Sequence, residues 1–340
     1  MRGSRFLFVL LAVLAMGCKP NRKVNIAFYY WKTVYKPSPT ESEYAKHLHT
    51  NKMYVRIMDV DMADDGVSAV PVSPITFQQA LPDTVQMVPV VYIINNVLKV
   101  LPKAKLADLA AKMIRFVDGK VQQAGKTGYT ELQIDCDWTA DTRDNYFYLL
   151  NAIKPLLKGK TLSVTLRLHQ VKSAAACGIP PVNKALLMCY NMGNLRKYGP
   201  QNSIIDLAEL QKYLGDNLQR YPMKMDIGLP LFSWAVAFRD KQYIGIARQV
   251  NFAALRDKAK FIPSGNNMYI AETDMPEYGL KKQDEVRWED APIDVLNGVA
   301  GYLSSKLKKD DLSLVYFHLD ADVLKKYSYE ELEDVGNILR

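Results

Sequence analysis

Cysteine is scarce in this chain of 340 residues: there are four in all, and after Cys18 only Cys136, Cys177 and Cys189 remain. No two of these form a short metal-type spacing, and an odd count argues against a disulfide framework. Gly/Ser linkers, low-complexity runs and internal repeats are also missing, which favours one folded unit. Dense basic clusters are absent too. Lys and Arg scatter among acids, the densest groups being Lys19 to Lys23 and Lys306 to Lys309, a pattern that does not suit nucleic acid. The first group reads as a solvated tether and the second as a helix end.

The chain opens with Arg2 and Arg5, an apolar run from Phe6 to Met16, then Gly17 and Cys18. The run is too short to span a bilayer and has the pattern of a secretory signal. A small residue before Cys18 resembles the lipobox of bacterial lipoproteins, although Met16 is bulky for its place. That resemblance implies a signal peptide over 1–17, a lipidated Cys18 and a tether over 18–23. Acyl chains would then hold the folded part to a membrane of the cell envelope, with a membrane as partner through the anchor. Loss of residues 1–17 removes two basic groups and leaves 42 basic against 36 acidic ones, a mild net charge of +6.

The most informative stretch runs from Glu131 to Thr139. Side chains alternate along a strand, so Glu131, Gln133, Asp135, Asp137 and Thr139 share one face while Leu132, Ile134, Cys136 and Trp138 share the other. Two carboxylates with an apolar back suit a barrel strand whose outer face packs on helices. Eight strands are read: Val24 to Trp31, Met53 to Asp61, Gln86 to Ile94, Thr130 to Trp138, Thr161 to His169, Ala185 to Asn191, Met225 to Phe232, and Ser313 to Asp320. Helical spacing falls between them over Glu41 to Thr50, Lys103 to Ala124, Arg143 to Leu157, Ser203 to Arg220 and Ala291 to Lys308.

Strands alternating with helices predict an α/β fold, a (β/α)8 TIM barrel over 24–340. Residues 233–290 form a long insertion after strand seven, with a hairpin expected around Asn267 to Glu272 and a charged loop from Glu277 to Arg287. Little room for a helix remains between Ile179 and Lys184. In such a barrel the functional groups belong at the C-terminal strand ends. Those ends carry Asp59 and Asp61, Asn95 and Asn96, Asp135 and Asp137, Arg167 and His169, Tyr190 and Asn191, Trp234, and His318, Asp320 and Asp322. Exposure alone explains any one of these; as a set beside aromatic residues they suggest a site.

With these residues in place, the chain resembles the family 18 glycoside hydrolases, chitinases and endo-β-N-acetylglucosaminidases. Their fourth strand reads Asp-Gly-x-Asp-x-Asp-Trp-Glu, against Leu132 to Thr139 here. Met188 to Asn191 resemble the strand-six pattern, Gly228 to Pro230 the strand-seven Gly-Leu-Pro, and Phe317 to Asp322 the strand-eight pattern. The resemblance implies substrate-assisted hydrolysis of N-acetylhexosamine glycans, without a cofactor. Carried over by position, Asp137 would face the acetamido group, with Asp135 as its buried neighbour and Tyr190 and Asn191 as supports. Trp31, Asp59, Asp61, Trp234 and Phe317 would line the substrate path.

Thr139 stands where the family has its acid, and Leu132 replaces the first Asp. A hydroxyl has no proton to give near neutral pH. Glu131 lies roughly 13 Å deeper in the barrel at strand rise, too far to substitute. Three readings stay open. A glycosidase could draw its acid from Asp59, Asp61, Glu272, Asp274, Glu277 or the Asp135 and Asp137 pair itself. A catalytically inactive barrel could bind sugars on Tyr29, Tyr30, Trp31, Tyr190, Trp234 and Phe317. A divalent cation could sit among Asp59, Asp61, Asp135 and Asp137, with His169 or His318. Arg56 or Arg167 can hold those carboxylates instead, so no metal is expected. Processing ranks slightly ahead of binding, because the Asp pair, the Tyr and the strand-end location survive together.

Overall fold

The computed structural model describes residues 22–340, so the signal segment, Cys18 and most of the expected tether lie outside the described residues. Eight parallel strands follow one another around a closed barrel: Val24–Tyr30, Lys52–Met62, Gln86–Ile93, Glu131–Asp135, Thr161–Arg167, Lys184–Met188, Lys224–Pro230 and Leu312–Phe317. The first pairs with both the second and the eighth, which leaves no open edge. These are the first to eighth barrel strands below.

Alternation sorts the side chains as expected. In the fourth strand and its extension, Leu132, Ile134, Cys136 and Trp138 pack outward into the strand–helix layer. Trp138 is 1% exposed, stacks on Tyr146 and donates to the Cys177 carbonyl, so its role is packing. Each such apolar side chain contributes about 1.5–3 kcal/mol on burial. The second strand breaks the alternation. Its register slips by one residue between Arg56 and Met58, so Arg56 pairs with Val90 and Met58 with Val91. This bulge turns Asp59 to the same side as Arg56.

The helices Pro39–His47, Lys103–Gln123, Arg143–Leu156 and Ile293–Lys306 fall where their spacing predicts. The expected helix over 203–220 is two, Leu207–Leu214 and Asn217–Arg220, broken at Gly215 where φ is +46°. A further helix, Tyr329–Leu339, closes the barrel's outer layer through Leu332, Val335 and Leu339 and starts with a Ser328/Glu331 capping box.

The insertion after the seventh strand is a five-stranded antiparallel sheet. Its order is Gln242–Ile246, Trp234–Arg239, Glu285–Glu289, Met268–Ala271, Phe261–Pro263. Met268–Ala271 pairs with Phe261–Pro263, so the expected hairpin belongs to a larger sheet. The expected charged loop ends inside its central strand, where Arg287 is fully buried. Its charge is masked by Glu289, at 2.6 Å.

The lower lumen is filled by a closed polar network. Glu131 accepts from the Ser163 hydroxyl at 2.7 Å and pairs with Lys184 at 3.0 Å and Lys52 at 3.6 Å. Lys184 also pairs with Asp226 at 2.6 Å, and Asp226 accepts from the Tyr54 hydroxyl and the Ser313 amide.

Candidate functional site

The upper lumen is built around the fourth strand's carboxylates. Asp135 is the last paired residue of its strand and accepts from the Thr165 hydroxyl at 2.6 Å. Burial pushes its carboxyl up to about 6; the Thr165 hydrogen bond opposes that shift and the Asp137 charge adds to it. Asp137 lies two residues further, past the paired part of the strand, and is 40% exposed. Arg167, at the end of the fifth strand, donates Nε to Oδ1 at 2.6 Å and Nη2 to Oδ2 at 2.8 Å. Both oxygens of Asp137 are therefore held in a bidentate fork.

Thr139 is exposed and belongs to the next turn. Its amide donates to the Thr142 hydroxyl at 3.0 Å, and the Thr142 amide returns to the Thr139 carbonyl. This turn leads into the helix Arg143–Leu156.

Aromatic rings form the wall opposite. Phe317 sits 5.4 Å from Trp31, 5.5 Å from Tyr190 and 5.8 Å from Phe232 between ring centres. Phe232 continues the wall to Trp234 at 5.2 Å. Tyr190 is buried, and its phenol is pushed up first by that burial and then by the Asp135 charge. Gly228 below makes room for this ring: a Cβ there would stand 2.8 Å from Leu186 and 3.3 Å from Tyr190.

Of the residues singled out from the sequence, Asp135, Asp137, Tyr190, Trp31, Phe317 and Trp234 gather at the mouth. Asp59 reaches its rim, near enough for its charge to act on Asp135, but both its oxygens are taken by Arg56 at 2.7 and 2.6 Å. Asp61 accepts from the Met62 amide. Asn191 is exposed, with φ at +53°, and its amide donates to the Ile204 carbonyl. Tyr30 faces the helix layer against Tyr35, and Tyr29 is buried in the lumen under Trp31, so neither offers a free face to a sugar. Glu272, Asp274 and Glu277 belong to the insertion, where the Glu272 amide bonds Lys260 and Asp274 accepts from Lys282. Among the described residues no group of three or more His, Cys, Asp or Glu side chains is arranged to hold a metal ion.

Two contributors were not identified from sequence. Tyr92 lies near the carboxylates, its phenol pushed up to about 12 by burial and then by the Asp137 charge. Glu289 of the insertion accepts from the Trp234 indole at 2.9 Å. A tyrosine three residues before Asn95 on a strand end was the available signal for the first. Nothing in the local pattern marked the second.

No protein-family model matches the chain, and no curated protein matches it. Among solved structures it is similar to the spore cortex-lytic enzyme SleL of Bacillus cereus, at 16% identity over 94% of this chain and 75% of that one, with a TM-score of 0.53. SleL of Bacillus megaterium QM B1551 gives 14% identity over 92% and 75%, with a TM-score of 0.53. A chitinase from Bacteroides thetaiotaomicron gives 10% identity over 93% and 96%, with a TM-score of 0.50. At such identities the likeness is one of fold: this chain shares the (β/α)8 barrel of these proteins.

Proposed function

We propose that this protein is a glycan-binding barrel that holds N-acetylhexosamine-containing chains at the strand-end mouth without hydrolysing them. One observation carries the reading: Arg167 occupies both oxygens of Asp137. In the substrate-assisted scheme that carboxylate must receive the acetamido N–H and stabilise the charge that develops on it. Here a guanidinium already supplies that partner, and charge-assisted bonds of this kind are roughly twice as strong as neutral ones. The acid is missing as well, since Thr139 is an exposed hydroxyl tied to a turn. This reverses the ranking of processing over binding drawn from the motifs alone.

What remains suits recognition. A half-buried aromatic wall faces a neutralised carboxylate–guanidinium pair, apolar surface with a few convergent polar groups. The Arg167 side chain is 26% exposed, and its Nη1 makes no hydrogen bond to a described residue, so a donor stays open to an acetamido carbonyl or a sugar hydroxyl. The lipobox-like pattern ending at Cys18 supports a membrane-anchored location in the cell envelope.

Calorimetry and hydrolysis assays on chitin-derived and N-glycan oligosaccharides test this directly. Binding without turnover is expected; turnover that Asp137→Asn abolishes would overturn it. A second reading rests on Asp135, whose carboxyl holds a proton to about pH 6. It makes that group a replacement acid, but Asp135 sits roughly 7 Å below Asp137 along the strand and is 9% exposed. Turnover lost in Asp135→Asn would favour it.

A further inference from the structure

The carboxylate of Glu289 has no exposure, and all its bonds but one cross from the insertion strand to other elements. Oε2 accepts from the Trp234 indole at 2.9 Å, the Ser203 amide at 2.8 Å and the Ser203 hydroxyl at 2.5 Å. Oε1 accepts from Arg287 Nε at 2.6 Å. Arg287 in turn spends its Nη groups on the carbonyls of Leu195, Lys197 and Gly199, in the loop that leaves the sixth strand. That loop folds back on itself: the Met192 and Gly193 amides donate to the Ser203 carbonyl, directly after Tyr190 and Asn191. The approach is so close that a Cβ on Gly193 would meet the Ser203 Cα at 2.9 Å.

We propose that Glu289 is a positioning residue that locks Trp234 and the end of the sixth strand into one register, and so sets the outer wall of the glycan site. This deepens the glycan-binding reading and rests on it. The chemistry is specific to the task. An indole has a single polar atom, so its one hydrogen bond fixes the ring plane, and a buried charged acceptor makes that bond strong. Ser203 places the other half of the wall on the same oxygen. An ion pair serving the insertion alone would have no use for Ser203, which lies outside it.

The test is a double-mutant cycle read by calorimetry with a chito-oligosaccharide. Glu289→Gln and Trp234→Phe, which keeps a ring but loses the N–H, are each expected to weaken binding about tenfold. If Glu289 acts in part through Trp234, Glu289→Gln in the Trp234→Phe background costs about threefold rather than tenfold, the remainder coming through Ser203. Additive losses would overturn the proposal. Should Glu289→Gln fail to fold, Ser203→Ala, which deletes one hydroxyl donor, is expected to weaken binding by shifting the same wall; unchanged affinity counts against it. A wild-type protein that binds no glycan defeats the binding reading but not the positioning one. Trp234 emission, taken as wild type minus Trp234→Phe, then decides. Acrylamide quenching is expected to rise about twofold or more in Glu289→Gln as the indole is released, and unchanged quenching refutes the role.

Discussion

The two halves of the lumen use the same residue types to opposite ends. At the bottom, Glu131 and Asp226 share Lys184, and every carboxylate oxygen has a donor from a lysine, a hydroxyl or an amide. At the top, Asp135 has one neutral partner and holds a proton to about pH 6, while the Asp137–Arg167 pair stays partly in water. A buried polar cluster with every bond made rigidifies a core, whereas one left partly open costs stability and keeps groups free for a ligand. The lower cluster is therefore architecture, and the upper one is the candidate site.

The largest effect should come from breaking the closed end. Lys184→Met leaves Glu131 and Asp226 buried without their shared cation, and removing one partner of a buried ion network costs about 4 kcal/mol. Urea denaturation at pH 7 measures this. A loss below about 1 kcal/mol would mean that the lower network is no more structural than a surface ion pair.

The open end should respond in the other direction. The folded pKa of Asp135, about 6, lies above its ordinary 3.8, so the folded state binds the proton more tightly than the unfolded chain. Its contribution is fully present below about pH 4 and is lost as pH rises through 6. Asp135→Asn copies the protonated form. It should match the wild type near pH 3.5 and be more stable by about 3 kcal/mol at pH 8, the equivalent of the shift. Parallel pH–stability curves would show that Asp135 is no less satisfied than the carboxylates below it.

This contrast was only partly legible in the sequence. The eight strands were readable because the outward face of each is apolar whatever fills the lumen, as Leu132, Ile134 and Cys136 show. The terminal helix was missed although Ser328 and Glu331 spell its capping box. The bulge between Arg56 and Met58 leaves no mark in the pattern: strict alternation from Tyr54 would send Asp59 outward, whereas it faces Arg56. Arg287 was read as part of a charged loop because charge usually means exposure. Its partner Glu289 lies two residues on, and burial of such a pair depends on the carbonyls of a loop some ninety residues earlier.

The smallest expected effect tests the proposal that the upper site does not hydrolyse glycans, and separates the want of one acid from a carboxylate that is already engaged. Thr139→Glu places at an exposed position the carboxyl that family 18 glycoside hydrolases carry in the resembling motif, and it keeps the backbone bond to Thr142, so stability should stay within about 0.5 kcal/mol of the wild type. No turnover of aryl N-acetylglucosaminides is expected from this variant, because Arg167 still holds both oxygens of Asp137. Adding Arg167→Met frees that carboxylate, and any activity should appear only in the double variant. Turnover by Thr139→Glu alone would show that the fork opens readily for a substrate. In that case the upper lumen lacks an acid and nothing else.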